Sequence, residues 1–232
     1  MTHYLFDVDG TLTPSRCEID PEFAAWFLEF CHRHTVSLVT GSDLDKTQEQ
    51  VGADIVDAVV YSFNCSGNAV YQQRQPVYQS SWQCPLDLMA WLERRLVTSE
   101  YRHRAGNHIE ARTGMVNFSV VGRRATAWDR NHYHRWDQTT GEREIIAAEI
   151  ERSWPGVQAV IGGEISIDIF RRGTDKSQVL SWIREPVVFF GDRMEPQGND
   201  RPLADAILTN NKGQCYHVTD WKHTWQLLKE LA

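Results

Sequence analysis

Asp7-Val8-Asp9-Gly10-Thr11-Leu12-Thr13 closes the short apolar run His3 to Val8 near the start of a 232-residue chain. An apolar run that ends in carboxylates reads as a buried parallel strand with polar groups at its carboxyl end. Ligands of open α/β sheets bind beyond the carboxyl ends of the strands, so both acids stand where chemistry is expected. Two acids one residue apart on an extended segment point different ways unless the chain turns at Gly10. That division lets Asp7 attack phosphorus while Asp9 handles the proton. A carboxylate nucleophile splits one hard displacement into two easier ones through an aspartyl-phosphate. The plain alternative is an acidic turn after a strand, and it gives no role to the partners found downstream.

Outward from this stretch, Asp20-Pro21 supplies an N-cap and an N1 proline. Phe23, Phe27, Phe30 and Cys31 then recur at helical spacing to about His34. Val36 to Val39 predicts a second strand closed by Thr40-Gly41-Ser42-Asp43, with a helix over about Leu44 to Gly52 and a third strand over Ile55 to Ser62. Strand and helix in alternation predict a parallel sheet with right-handed crossovers. After Gly67 the pattern changes. Val70 to Tyr78 reads as a hairpin, Pro85 to Val97 and Glu142 to Trp154 as amphipathic helices, and Asp129 to Thr140 as a polar loop. His108 to Val121 predicts two strands joined at Thr113-Gly114, and Val157 to Phe170 further strands. Parallel character resumes with a helix over Lys176 to Ile183, a strand over Val187 to Phe190 and a closing helix over Trp221 to Leu231. The expected fold is therefore α/β. A doubly wound parallel-sheet core (1–79 and 173–232) carries an inserted α+β cap (80–172).

The partners of Asp7 and Asp9 follow in order. Ser42 offers a hydroxyl and neighbouring backbone N–H groups at the end of the second strand. Taken alone, Thr-Gly-Ser-Asp is also a good loop and helix cap. Lys176 opens a helix and can neutralise charge on an aspartyl-phosphate. Asp192 closes an apolar strand, and Gly198-Asn199-Asp200 follows it. A hard cation such as Mg²⁺ takes oxygen ligands, so Asp7, Asp9 (by its backbone carbonyl) and Asp192 form a plausible set. Taken in order, Asp7/Asp9, Ser42, Lys176 and Asp192 resemble the four motifs of the haloacid dehalogenase (HAD) superfamily, which the chain is expected to share as fold and phosphotransfer chemistry.

The resemblance narrows further to the eukaryotic-type phosphomannomutase family. It rests on Arg16 shortly after the first motif, on the segment from His108-Ile109-Glu110-Ala111-Arg112 to Gly122-Arg123, and on Arg130. Gly162-Gly163-Glu164-Ile165-Ser166-Ile167-Asp168-Ile169-Phe170 and the closing Gly191-Asp192 to Gly198-Asn199-Asp200 extend it over nearly the whole chain. Gln197 departs from it, standing where the family commonly has glycine. The resemblance implies that Arg16, Arg112, Arg123 and Arg130 bind substrate phosphate, and that Ser166 and Asp168 bind sugar hydroxyls and phosphate-side groups. It implies Mg²⁺ as cofactor, a hexose 1,6-bisphosphate as activator, hexose phosphates as substrates and a homodimer joined through the cap. Alternation supports it independently, placing the isoleucines 165, 167 and 169 on one strand face and Glu164, Ser166 and Asp168 on the other. A guanidinium fork also matches phosphate oxygens better than an ammonium does. A mutase must hold one phosphate of a bisphosphate while the other reacts, and cap closure would keep water from the aspartyl-phosphate. A HAD-type sugar phosphatase and a non-catalytic sugar-phosphate-binding protein are the alternatives.

Composition fits these expectations. The chain is 41% hydrophobic, enough for a sizeable core, and its net charge of −7 argues against nucleic acid or an anionic membrane as a general partner. Cys17, Cys31, Cys65, Cys84 and Cys215 show no paired spacing, as expected of reduced thiols in a cytoplasmic protein. The N-terminus lacks a signal-peptide pattern, and no apolar run approaches the roughly 20 residues a spanning helix needs.

Overall fold

The computed structural model describes residues 2–196 and 198–231, so Gln197 lies outside the described residues. Two compact units emerge, one formed by residues up to Ser80 with those from Thr174 onward, the other by Ser81–Gly173.

In the first unit, strands β1 (His3–Phe6), β2 (Thr35–Val39), β3 (Tyr61–Asn64), β10 (Val187–Gly191) and β11 (Gly213–His217) run parallel. The antiparallel hairpin β4 (Ala69–Gln72) and β5 (Gln75–Gln79) extends the sheet to the order β11-β10-β1-β2-β3-β4-β5. Each face is covered. Phe6 and Phe190 point into a core with helices α1 (Pro21–Arg33), α2 (Leu44–Val51), α3 (Ala53–Ala58) and α8 (Trp221–Leu231). Their neighbours Leu5 and Phe189 point into the opposite core, with α7 (Arg201–Thr209) and the 3-10 helix Lys176–Trp182. This two-sided burial is why β1 and β10 read as continuous apolar runs instead of alternating ones. Helix α1 starts as its sequence predicts: Asp20 accepts from the N–H groups of Glu22 and Phe23, with Pro21 in the first turn.

The second unit carries β6 (Ile109–Arg112), β7 (Met115–Phe118), β8 (Val157–Gly162) and β9 (Ser166–Arg171) in an antiparallel sheet of order β6-β7-β9-β8. Its own core joins Ile165, Ile167 and Ile169 to helices α4 (Leu86–Thr98), α5 (Ala127–Thr140) and α6 (Glu142–Ser153) through Leu88, Leu92, Tyr133, Ile146 and Ile150.

Several expectations are corrected. Ile55 to Ala58 belongs to a helix, because Gly52 at φ +86° breaks α2 and restarts the chain as α3, whose Ile55 and Val56 pack with α1; the third strand begins only at Tyr61. Asp129 to Thr140 is helix α5 and not a loop. Thr126 and Asp129 form a reciprocal capping box, and Tyr133 is fully buried. The helix expected after Asp175 is present as the 3-10 helix Lys176–Trp182, while the first strand stops at Phe6. Helix α7 and strand β11 complete the sheet edge without having been anticipated.

Candidate active site

Because β1 continues to β2 on one side and pairs with β10 on the other, the strand order reverses at β1. That reversal is where open α/β sheets form their ligand crevice. Phe6 lies opposite Phe190, and the Asp7 N–H donates to the Phe190 carbonyl at 2.9 Å. Asp7 and Asp192 thus leave neighbouring strand ends together. Past Asp7 the chain folds back: the N–H groups of Thr11, Leu12 and Thr13 all turn to the Val8 carbonyl, and Gly10 bonds Thr13 O at 2.9 Å. Gly10 sits at φ +79°, where a Cβ would lie 2.3 Å from Asp192 Oδ2. Only glycine lets the turn approach Asp192 this closely.

Lys176 is buried, and its ammonium donates to Asp7 Oδ1 at 2.6 Å and to Asp200 Oδ1 at 2.7 Å. Asp200, fully buried, also accepts from the Arg193 N–H at 3.1 Å. Burial pushes the Asp7 carboxyl well up, Lys176 opposes that shift, and Asp200 and Asp192 add to it. Asp192 is pushed up to about 7, first by burial and then by repulsion from Asp200. Burial works against charge on Lys176, yet Asp200 and Asp7 outweigh it and hold the ammonium above its ordinary value.

Asp7, Asp192 and Asp200 each bring one carboxylate oxygen into a group whose members all lie within 4.8 Å of one another. Three converging acids against one ammonium leave negative charge uncompensated in a poorly solvated place. Thr11 Oγ1 and Asn199 Oδ1, on the loops that carry Asp9 and Asp200, are buried with no hydrogen-bond partner among the described residues. An all-oxygen donor set with surplus negative charge fits a hard divalent cation.

Asp9 is half-buried, and its Oδ1 accepts from the Arg16 N–H at 2.6 Å and from Gln50 Nε2 at 3.0 Å. Arg16 therefore reaches the site by its backbone, at φ 61°. Ser42 ends the loop after β2, the strand beside β1, and its N–H donates to Thr40 Oγ1 at 3.1 Å.

The cap residues gather on the sheet face opposite the isoleucines. Strand register places Glu110 opposite Asn117, and Asn117 opposite Asp168, in one polar row. Asn117 Nδ2 donates to Asp168 Oδ1 at 2.7 Å. Glu110 lies between two arginines, accepting from Arg112 Nε at 2.7 Å and from Arg123 Nε at 3.2 Å. Arg123 Nη1 donates to Ser166 Oγ at 2.9 Å. Burial opposes charge on Glu110, but Arg112 and Arg123 outweigh it and hold the carboxyl below its usual range. Arg130 pairs instead with Glu164, at 3.1 Å. The structure thus joins Arg112, Arg123 and Ser166 through hydrogen bonds, and Asp168 to the same strand row.

Sequence reasoning missed Asp200, Gln50, Asn117 and the counter-carboxylates Glu110 and Glu164. Asp200 stood in the quoted Gly198-Asn199-Asp200. Glu110 and Arg112 share a strand face by simple alternation, a signal that was available.

The family model "Eukaryotic phosphomannomutase" matches residues 23–232, so the acid pair lies ahead of the matched segment. The chain is 33% identical over 211 residues to the phosphomannomutase of Saccharomyces cerevisiae, covering 86% of this chain and 83% of that protein. It is 30% identical to a probable phosphomannomutase of Caenorhabditis elegans, covering 99% of this chain and 96% of that one. Among solved structures, an IMP-bound mutant IMP-nucleotidase of Plasmodium falciparum superposes with a TM-score of 0.65 at 15% identity, over 99% of this chain and 67% of that one. A haloacid dehalogenase-like hydrolase from Bacteroides thetaiotaomicron gives 0.63 at 13% identity, over 100% of this chain and 99% of that one. At such identities the structures establish the HAD-like fold alone.

Proposed function

The chain belongs to the eukaryotic phosphomannomutase family, and from that premise we propose that it interconverts mannose 6-phosphate and mannose 1-phosphate through an aspartyl-phosphate on Asp7. One observation carries the reading: the Asp7 carboxylate is held at 2.6 Å by a buried Lys176 and converges with Asp192 and Asp200. Mg²⁺ would be held by Asp7, Asp192 and Asp200, with the Asp9 backbone carbonyl. When bound, it offsets repulsion between the phosphoryl oxygens and the carboxylates.

The chain's own groups divide the remaining work. Asp7 attacks one phosphorus of a hexose 1,6-bisphosphate; the bond from phosphorus to the sugar oxygen breaks, and that oxygen takes a proton from Asp9. In the return step a hexose monophosphate hydroxyl gives its proton to Asp9 as its oxygen attacks the phosphorus on Asp7. The bond from phosphorus to the Asp7 oxygen breaks and the carboxylate is restored. Lys176 opposes the effect of burial on the Asp7 carboxyl, favouring its ionised form, and neutralises charge on the phosphorylated form. Ser42 hydrogen-bonds the transferring group.

Arg112, Arg123 and Arg130 hold the phosphate that is not reacting, with Arg16 also assigned to substrate phosphate. Ser166 and Asp168 bind sugar hydroxyls and phosphate-side groups. The pairing of Arg112 and Arg123 with Glu110, and of Arg130 with Glu164, supports a site in which a phosphate can exchange, because a displaced carboxylate offsets part of the binding energy. All five cysteines are free thiols, which supports a cytoplasmic setting. Among the described residues, no helix is long and apolar enough to cross a membrane. Exposed Leu86, Val97 and Ile145 on cap helices support a homodimer through that unit.

The test is a coupled assay on mannose 1-phosphate with Mg²⁺, with and without glucose 1,6-bisphosphate, while free phosphate is quantified. Bisphosphate-dependent mannose 6-phosphate with little phosphate released is expected. Phosphate release without isomerised product would make the protein a sugar phosphatase.

A further inference from the structure

The loop after β2 does two things at once: it presents Ser42, and its Asp43 caps α2, whose last turn carries Gln50. Gln50 is 1% exposed, yet it is an amide where an aliphatic side chain would fill the same space. Its Nε2 donates to Asp9 Oδ1 at 3.0 Å and to Thr13 Oγ1 at 3.2 Å, reaching both arms of the turn that begins at Asp7. Its Oε1 is buried without a hydrogen-bond partner among the described residues. An orphaned buried acceptor is destabilising, and methionine in the same space would avoid it. Simple packing therefore does not account for an amide here; the two donated bonds do.

Those bonds are asymmetric at Asp9. Oδ1 takes both the Gln50 amide and the Arg16 N–H, whereas Oδ2 accepts no hydrogen bond among the described residues. A carboxylate anchored through one oxygen has its other oxygen fixed in direction. We propose that Gln50 is a positioning residue for the phosphotransfer reaction: it anchors Asp9 through Oδ1 so that Oδ2 is the oxygen that exchanges the proton with the sugar hydroxyl. This inference rests on the role proposed above for Asp9. It adds a side chain from helix α2 that touches neither phosphate nor metal ligand oxygens.

The test is a double-mutant cycle on mutase turnover with Gln50→Met, which keeps volume and removes both donors, and Asp9→Asn. Positioned general acid–base catalysis contributes roughly a hundredfold or more, so loss of aim is expected to lower kcat by at least about tenfold while KM stays within about twofold. In the Asp9→Asn background the same change should cost less than about twofold, because partners acting through one another are non-additive. Gln50→Glu, nearly isosteric, serves if the methionine variant does not fold, and the same non-additivity is expected. An equal loss in both backgrounds, a change confined to KM, or unchanged turnover would each overturn the proposal. Full turnover of Asp9→Asn with Gln50 intact would instead remove the role of Asp9 itself, a failure visible before Gln50 is touched.

Discussion

Around Lys176 the core gathers Asp7, Asp192 and Asp200 against one ammonium, whereas the cap sheet gathers Arg112, Arg123 and Arg130 against Glu110 and Glu164. The first group is short of positive charge, whereas in the second the arginines are matched by Glu110, Glu164 and, in the same strand row, Asp168. Their burial differs as well. The side chains of Lys176, Asp7 and Asp200 are 1%, 5% and 0% exposed, while Glu110 and Glu164 are 31% and 49% exposed. A surplus charge costs far more in a dry site than at a wet one. Changes in the core cluster should therefore disturb folding and chemistry together, and changes in the cap cluster should register chiefly in substrate binding.

The largest effect is predicted at the nucleophile. Asp7→Asn keeps the shape and one acceptor for Lys176 but cannot form the covalent intermediate. Turnover should fall by roughly 10⁴-fold or more, on the scale seen when a covalent catalyst is removed. Retention of a tenth of wild-type turnover would dissolve the contrast between the two clusters.

Lys176→Met strips the ammonium that bridges Asp7 and Asp200 from a buried group of acids. Removing one partner of a buried ion pair costs about 3–5 kcal/mol, to be read from urea denaturation. Adding Asp200→Asn to that variant should recover part of the loss, since the second change removes a charge left unpaired.

Metal removal sharpens the comparison through pH. Asp192 has a folded pKa near 7, raised from an ordinary value of 3.8 by burial and Asp200. Between about pH 4 and 7 the metal-free folded state holds a proton that the unfolded chain has lost, so its stability declines as pH rises across that window and then levels off. With chelator, the melting temperature should be higher at pH 5.5 than at 7.5. Mg²⁺ should raise it at 7.5 and do much less at 5.5, where it must displace a proton. A chelated protein that gains stability from pH 5.5 to 7.5 would contradict the charge surplus assigned to this site.

The smaller effects belong to the cap. Arg123→Gln should raise KM for hexose phosphates by about ten- to a hundredfold, as expected for losing a charge-assisted phosphate contact, with little change in melting temperature. Ser166→Ala removes one hydrogen bond to Arg123 and should raise KM by only a few-fold, about 1 kcal/mol or less. A cap arginine variant that unfolds the protein while leaving KM unchanged would erase the distinction.

The two regions were also unequally legible. Asp7, Asp9 and Asp192 stood out as candidates because each follows an apolar run, and the structure brings Asp7 and Asp192 together at neighbouring strand ends. Asp200 could not be assigned, because its role depends on the fold bringing Lys176, 24 positions earlier, onto its carboxylate. In the cap the hairpins and the isoleucine face followed from alternation. Helix α5 did not, because its polar, aromatic sequence buries few side chains and is held by Tyr133 and a capping box. Strand β11 escaped for a related reason: an edge strand reading Gly-Gln-Cys-Tyr-His is largely half-buried or exposed and has no apolar run to announce it. Ile55 to Ala58 misled in the opposite direction. Its β-branched residues suit a strand, but the break at Gly52 and packing on α1 decide for a helix.

The central claim is that Asp7 carries the phosphoryl group and returns it to sugar instead of water. A single-turnover experiment with glucose 1,6-bisphosphate carrying labelled phosphate, acid-quenched and mapped by peptide, tests it most directly. The account predicts transient label on the peptide containing Asp7, followed by its appearance in hexose phosphate once mannose 1-phosphate is added, with little inorganic phosphate. Label on another residue, or its appearance chiefly as inorganic phosphate, would contradict it.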